Sequence, residues 1–184
     1  MRIIFALLLT LPGTLAAESL CGVTDRDALL TTLAGTWTGD TYVSSVNAVV
    51  NGVSVIARAD AEPVTITADG DLGSDMVRAI SAGTTLPLPL ADRPVFDVDQ
   101  VDELLDATDA AILADLLSDT PCGPEDLPQF VISVDWTPNA VPSFDGQVAL
   151  IPYFTDRILR LDQIVVNTGE TVMYLTVSAL LTRE

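Results

Sequence analysis

The chain has 184 residues and a net charge of −18, and all eight of its basic residues are arginine. Without histidine or lysine it cannot use Ser-His-Asp or Cys-His catalysis, histidine metal ligands, Schiff bases or the lysine of phosphate-binding loops. The negative charge also disfavours nucleic acid and anionic lipid as partners. The sequence therefore predicts a protein that is not an enzyme and that has no cofactor and no metal.

The first 17 residues are predicted to be a secretion signal. Arg2 supplies the positive start, residues 3–11 form an apolar run, and Ala16 and Ala17 are small residues suited to cleavage. The run is too short to cross a bilayer permanently, and no other segment approaches 18 apolar residues. We expect a periplasmic or secreted protein that does not span the membrane.

Cys21 and Cys122 are the only cysteines. In an oxidising compartment a lone pair is most simply a disulfide, and the chain has no Cys-X-X-Cys motif that would indicate redox activity. A lipoprotein also carries a cysteine after its signal, but Leu20 stands where lipid attachment needs a small residue. The sequence therefore predicts a structural disulfide.

The first half of the chain begins with one short helix and continues with strands. Residues 25–33 are predicted to be helical, with Thr24 as the N-cap and Gly35 ending the helix. Extended segments are expected at 36–43, on both sides of an Asn51-Gly52 hairpin turn, at 63–67, and in continuation at 72–80. The proline-rich segment 86–90 must also be extended, at an edge or in a loop.

The second half contains a predicted helix at 101–117, a loop at 118–128 and then a meander of strands. The strands are expected at 130–136, 147–154, 158–166 and 171–181, the last two joined by a turn at 167–169. The fold class predicted is mainly β, an antiparallel barrel or sandwich with a short N-terminal helix and a helical insertion around 101–117. Residues 18–184 are expected to form a single domain.

The segment 33–39 (LAGTWTG) resembles the opening of lipocalin-like, or calycin, β-barrels, which carry Gly-X-Trp on the first strand after a short helical turn. Gly35 and Trp37 match this motif, and Arg183 at the end of the last strand would be the arginine that packs across the tryptophan. The resemblance implies a barrel closed at the tryptophan, with an apolar cavity for a small hydrophobic ligand. The helix at 101–117 departs from the usual run of eight strands.

Three acidic groups are candidate sites. The segment 69–75 is similar to a calcium loop but has Ser74 where an EF-hand needs glycine, so we interpret it as a hairpin loop. The acids at 97–103 fit a solvated helix start better than a calcium site. Asp135 and Asp145 would serve a carboxylate hydrolase only if they faced each other about 5–10 Å apart.

The function predicted is that of an exported, non-enzymatic protein that binds a small hydrophobic ligand in a barrel-like cavity. The alternative is a structural or interaction protein of the cell envelope with a filled core and no ligand, since small barrels can be filled by their own side chains. The sequence makes no prediction of the oligomeric state.

Overall fold

The architecture is taken from a computed structural model. It describes residues 17–50, 53–57, 62–75, 77–78, 85–95, 120–136 and 142–184. The predicted signal up to residue 16 and the predicted helix at 101–117 lie outside the described residues.

The N-terminal helix α1 spans Arg26–Leu33. Its N-cap is Asp25, whose carboxylate accepts hydrogen bonds from the amides of Asp27 and Ala28, both at 3.1 Å. The prediction of Thr24 as the cap was wrong by one residue. A carboxylate at Asp25 satisfies two amides that the first turn would otherwise leave without partners.

Nine strands form one antiparallel sheet in the described part of the chain. They are β1 (Gly35–Val50), β2 (Val53–Ala57), β3 (Val64–Ile66), β4 (Asp71–Gly73), β5 (Leu86–Pro87), β6 (Phe130–Trp136), β7 (Ser143–Phe154), β8 (Arg157–Asn167) and β9 (Val172–Arg183). The order is β5-β4-β3-β1-β9-β8-β7-β6, and β2 pairs with the end of β1. The mainly β, antiparallel fold class and the C-terminal meander are confirmed.

The sheet curls into a nearly closed barrel whose seam lies between β5 and β6. Leu90 forms an isolated antiparallel bridge with Phe130, and the amide of Ala91 donates to the carbonyl of Gln129 at 2.8 Å. The prolines of the segment 86–90 lack amide hydrogens, so they can contribute few bonds to a strand ladder. The seam is accordingly held by a short stretch of backbone pairing.

Of two predictions about the first half of the chain, the hairpin around residues 51–52 is confirmed and the strand at 72–80 is only partly correct. Val50 pairs with Val53, which confirms the hairpin, although its turn residues 51–52 lie outside the described residues. The expected strand at 72–80 was wrong after Gly73. There the backbone enters a helical turn, and the amide of Arg78 donates to the carbonyl of Ser74 at 3.0 Å.

The predicted disulfide between Cys21 and Cys122 is confirmed and ties two segments outside the barrel. Leu20 and Gly22 on either side of Cys21 form backbone hydrogen bonds with Tyr153 and Asp126, respectively. These segments cover a second apolar cluster on the outer face of the sheet, made of Leu127, Ala149, Ile151, Tyr153, Leu159 and Leu161. Among the described residues, no helix is long and apolar enough to cross a membrane.

Candidate functional site

The interior of the barrel is defined by alternate residues of the C-terminal strands. Ile158 and Ile164 of β8 and Ala179 and Leu181 of β9 belong to one buried cluster with Trp37. Because side chains alternate between the two faces of a strand, the residues between Ile158 and Ile164 at every second position also face inward. Those residues are Arg160 and Asp162, so two charged side chains share the interior with the main apolar core.

One end of the barrel, which we call the tryptophan end, is closed by Trp37 and helix α1. The Trp37 side chain is 0% exposed, and its Nε1 donates to the carbonyl of Leu33 at 2.9 Å. Leu29 and Leu30 of the helix are buried in the same cluster. The apolar face of α1 therefore packs directly against the barrel interior at this end.

Arg183 covers the outer side of the same tryptophan. Its guanidinium carbon lies 5.0 Å from the centre of the Trp37 ring, within the range of a cation–π contact, and its Nη2 donates to the carbonyl of Thr32. Gly35 directly follows Ala34, the C-cap of α1, and has a φ of 145°, a conformation that favours glycine, so the helix ends where predicted and β1 begins. This arrangement is compatible with the lipocalin-like resemblance.

The opposite end, which we call the hairpin end, lies at the β8–β9 turn of residues 168–171. Here Ile164 pairs with Leu175 and Phe144 pairs with Val166, so these residues continue the interior face. Phe144, Val166 and Leu175 pack against the main cluster but remain half-buried. The interior is thus apolar at both ends, and at the hairpin end these three side chains reach solvent.

Between the two ends lies a buried ion cluster of Arg160, Asp162 and Glu62. The Arg160 Nε donates to both carboxylate oxygens of Asp162, at 3.1 and 2.9 Å, and Nη2 lies 2.6 Å from Oδ2. Nη2 also lies 3.5 Å from Oε1 of Glu62, whose carbonyl accepts from Nη1 at 3.4 Å. Arg160 and Asp162 are only 2% and 0% exposed, so water contributes little to solvating either charge.

Burial and pairing act on this cluster in opposite directions. Burial raises the pKa of Asp162 above its ordinary value, while the charge of Arg160 opposes the rise. For Arg160, burial works against the charged form, but Asp162 and Glu62 outweigh it and raise the pKa of the guanidinium. Removing two charges from water has a large desolvation cost, which offsets much of the attraction in a buried ion pair. The presence of this cluster is therefore weak evidence that it stabilises the fold.

Sequence reasoning missed the cluster, although a signal was present. Arg160 and Asp162 are two residues apart in a strand whose neighbours at the same spacing, Ile158 and Ile164, are apolar. A period of two therefore places both charges on the buried face. Glu62 could not have been added from the sequence, because it is 98 residues from Arg160 and reaches it only through the barrel topology.

The acidic groups considered in the sequence differ in their surroundings. Asp135 and Asp145 are directly paired on the neighbouring strands β6 and β7, and Asp145 is an exposed residue that lines a groove on the outer face. Of the segment 69–75, Asp69 and Gly70 lie in the β3–β4 turn, where the amide of Gly70 donates to the carbonyl of Thr67, and Asp71–Gly73 form β4. No group of three potential metal ligands occurs among the described residues, which do not include 97–103.

The outer face of the meander carries a groove of about 450 Å³ near the hairpin end. Gln147 and Gln163 are hydrogen-bonded to each other there at 3.1 Å, and Tyr174 is 51% exposed. Tyr174 and Leu175 are neighbours in β9 on opposite faces of the sheet. They therefore provide a matched pair for separating effects inside the barrel from effects outside it.

Comparison of the chain with models of protein families, with characterised proteins and with solved structures finds no match. The lipocalin-like resemblance consequently depends on the segment 33–39, on Arg183 and on the nearly closed antiparallel barrel. A function has to be argued from the barrel interior itself.

Proposed function

We propose that this chain is an exported, non-enzymatic protein that binds a small hydrophobic ligand in the interior of its barrel. The ligand would enter at the hairpin end. The observation that carries the proposal is the contrast along one interior face: Leu181 at the tryptophan end is 0% exposed, whereas Leu175 on the same strand is half-buried.

Half-buried apolar side chains that line a concave face still expose apolar surface, and a ligand that covers this surface gains binding free energy. Covering apolar surface is worth about 25 cal/mol per Å², and Phe144, Val166 and Leu175 all present such surface. Ligand sites in proteins are typically concave and apolar, with a few polar groups that fix orientation. The Arg160–Asp162–Glu62 cluster would supply those polar groups.

Other features support export and a role without catalysis. The Cys21–Cys122 disulfide is compatible with an oxidising compartment outside the cytoplasm. The chain has no histidine, which removes the most common general base. Asp135 and Asp145, the acids considered for a hydrolase, are paired on adjacent strands of one sheet.

The proposal is tested with N-phenyl-1-naphthylamine, an uncharged dye that becomes fluorescent in apolar surroundings. Residues 18–184 should bind it saturably. Leu175→Arg places a charge on the interior face and should weaken binding at least about tenfold, a change equivalent to about 1.4 kcal/mol. Tyr174→Arg adds the same charge one residue away on the outer face and should leave the affinity unchanged.

The opposite results would favour the alternative of an envelope protein with a filled core. Such a protein would show no saturable dye binding, or would lose binding equally in Leu175→Arg and Tyr174→Arg. Native mass spectrometry of protein purified from a periplasm provides a second readout. A retained adduct of ligand size would identify the class of ligand.

A further inference from the structure

We propose that the groove on the outer face of the meander binds a neutral, β-linked polysaccharide. The side chains that carry this proposal lie on the opposite face of the sheet from the barrel interior. The site is therefore separate from the one proposed for a hydrophobic ligand and does not depend on it. Its volume of about 450 Å³ is within the range of small-molecule sites in proteins.

The outer face of the sheet is covered towards the tryptophan end and open at the groove. In the covered part, Ala149 and Leu161 of the second apolar cluster are 0% and 1% exposed. Four residues further along β8, Val165 is half-buried, and its partner in β9 is Tyr174. Tyr174 is 51% exposed, more than any other large apolar or aromatic side chain that the structure describes. A ring that is left uncovered on an otherwise packed face has apolar surface that a ligand can bury.

Apolar and polar side chains lie in two adjacent rows across the groove. In the first row, Val165 is paired with Tyr174 on one side and with Asp145 on the other. In the second row, Gln163 is paired with Gln147, and the alternation of side chains places both on the same face as Val165. A ligand along the first row would contact the ring with an apolar face and the two amides with a polar edge.

The two glutamine amides can form more hydrogen bonds than they form with each other. Each amide has two N–H donors and an oxygen with two lone pairs. The bond from Nε2 of Gln147 to Oε1 of Gln163, at 3.1 Å, uses one donor and one lone pair, and no other described residue bonds to either side-chain amide. Hydroxyl groups both donate and accept, so a ligand with several hydroxyl groups matches these amides.

Charge and shape narrow the ligand to a neutral chain of flat sugar rings. Asp145 is exposed at one end of the groove and the chain has a net charge of −18, so an anionic polysaccharide would be repelled. Adjacent strands are about 4.8 Å apart, so the row from Asp145 to Tyr174 spans roughly 10 Å, the length of a disaccharide. Pyranose rings with equatorial hydroxyl groups have a C–H face that packs on an aromatic ring. β-Linkages between such rings give a flat, extended chain.

The test is affinity electrophoresis of residues 18–184 in native gels that contain a soluble polysaccharide. Hydroxyethylcellulose is a neutral β-linked chain, carboxymethylcellulose is the same chain with anionic groups, and dextran is a neutral α-linked chain. We expect hydroxyethylcellulose to slow the protein and the other two to bind at least about tenfold more weakly. Equal or stronger retardation by either of the other two, or none by hydroxyethylcellulose, would overturn the inference.

Substitutions in the groove then assign the binding to its side chains. Tyr174→Ala removes the ring and should weaken binding of hydroxyethylcellulose at least about tenfold, whereas Tyr174→Phe keeps the ring and should bind within about twofold of the original chain. Gln163→Met keeps the length of the side chain without its amide and should weaken binding about fivefold.

Val95→Ala is the matched control, because Val95 is the other large apolar side chain that is exposed among the described residues, and it should leave binding unchanged. Circular dichroism establishes that each variant is folded. Equal losses in Tyr174→Ala and Val95→Ala would refute the groove as the site, and equal losses in Tyr174→Ala and Tyr174→Phe would refute packing on the ring.

Discussion

The two ends of the barrel are built from the same strands but differ in what their interior side chains contact. At the tryptophan end, Trp37 and Leu181 are covered by helix α1, and Arg183 lies across the indole ring. At the hairpin end, Leu175 and Val166 occupy equivalent positions on the same face and are half-buried. The comparison shows that interior side chains are fully buried at one end and half-buried at the other, where we propose that the ligand binds.

The difference in burial between the two ends has a simple physical consequence. A core side chain gains stability from close packing on all sides, so filling a cavity at the tryptophan end contributes to the free energy of folding. An apolar side chain that still contacts water contributes less to the free energy of folding. Its remaining exposed surface can contribute to the free energy of binding when a ligand covers it. Substitutions at the two ends should therefore affect stability and binding in opposite proportions.

Trp37→Ala should have the largest effect on stability. It leaves a cavity at a site that is 0% exposed and removes the hydrogen bond to the Leu33 carbonyl, so we expect a loss of about 3–5 kcal/mol in the free energy of unfolding. Urea denaturation monitored by circular dichroism measures it. Tyr174→Ala is the control, since an exposed aromatic residue should change stability by about 0.5 kcal/mol or less.

Leu181→Ala and Leu175→Ala sharpen the comparison within one strand, because both side chains face inward and lose the same atoms. Leu181→Ala should cost about 2–5 kcal/mol, as fully buried leucines do. Leu175→Ala should cost about 1 kcal/mol and should weaken binding of the apolar dye instead. Equal losses of stability at the two positions would show that the ends do not differ.

The ion cluster between the two ends should have a smaller effect on the free energy of unfolding than these substitutions, and this effect should depend on pH. Burial raises the pKa of Asp162 above its ordinary value of 3.8, so the folded chain keeps this proton to a higher pH than the unfolded chain. The associated stability is fully present below pH 3.8 and is lost as the pH rises through the folded pKa. Asp162→Asn removes the titration.

The measurement is the difference in unfolding free energy between the original chain and Asp162→Asn over a series of pH values. We expect the original chain to lose stability relative to the variant as the pH rises from acid towards neutral. Asp156→Asn, at an exposed carboxylate, is the control and should show no comparable trend. If the original chain instead gained stability relative to Asp162→Asn as the pH rises, pairing with Arg160 would outweigh burial in setting the pKa of Asp162.

Local patterns were sufficient to predict the strands of the C-terminal meander. The strand expected at 171–181 is β9, in which Ala179 and Leu181 are in the core. The strand at 130–136 has the bounds predicted. Such patterns succeed because each strand of a meander pairs with its neighbour in sequence, so short-range order is also spatial order.

Contacts between distant segments could not be predicted in the same way. Nothing in the sequence around Leu90 specifies that it bridges Phe130, and the strand expected after Gly73 is replaced by a helical turn at Ser74. The candidate site could be predicted only in part for the same reason. Arg160 and Asp162 are visible as a pair in the sequence, but Glu62 joins them only because the barrel curves.

The position of β9 in the sheet has a consequence for when the protein can fold. This strand is the last in chain order, yet it lies between β1 and β8 and pairs with both. Until the ribosome has made β9, β1 has no partner on that side, and only the short seam between β5 and β6 can join the two halves of the described sheet. Contacts between residues this far apart in sequence form slowly. A nascent chain with this topology would stay open through most of its synthesis, which is the condition in which a polypeptide can be threaded through a translocation channel.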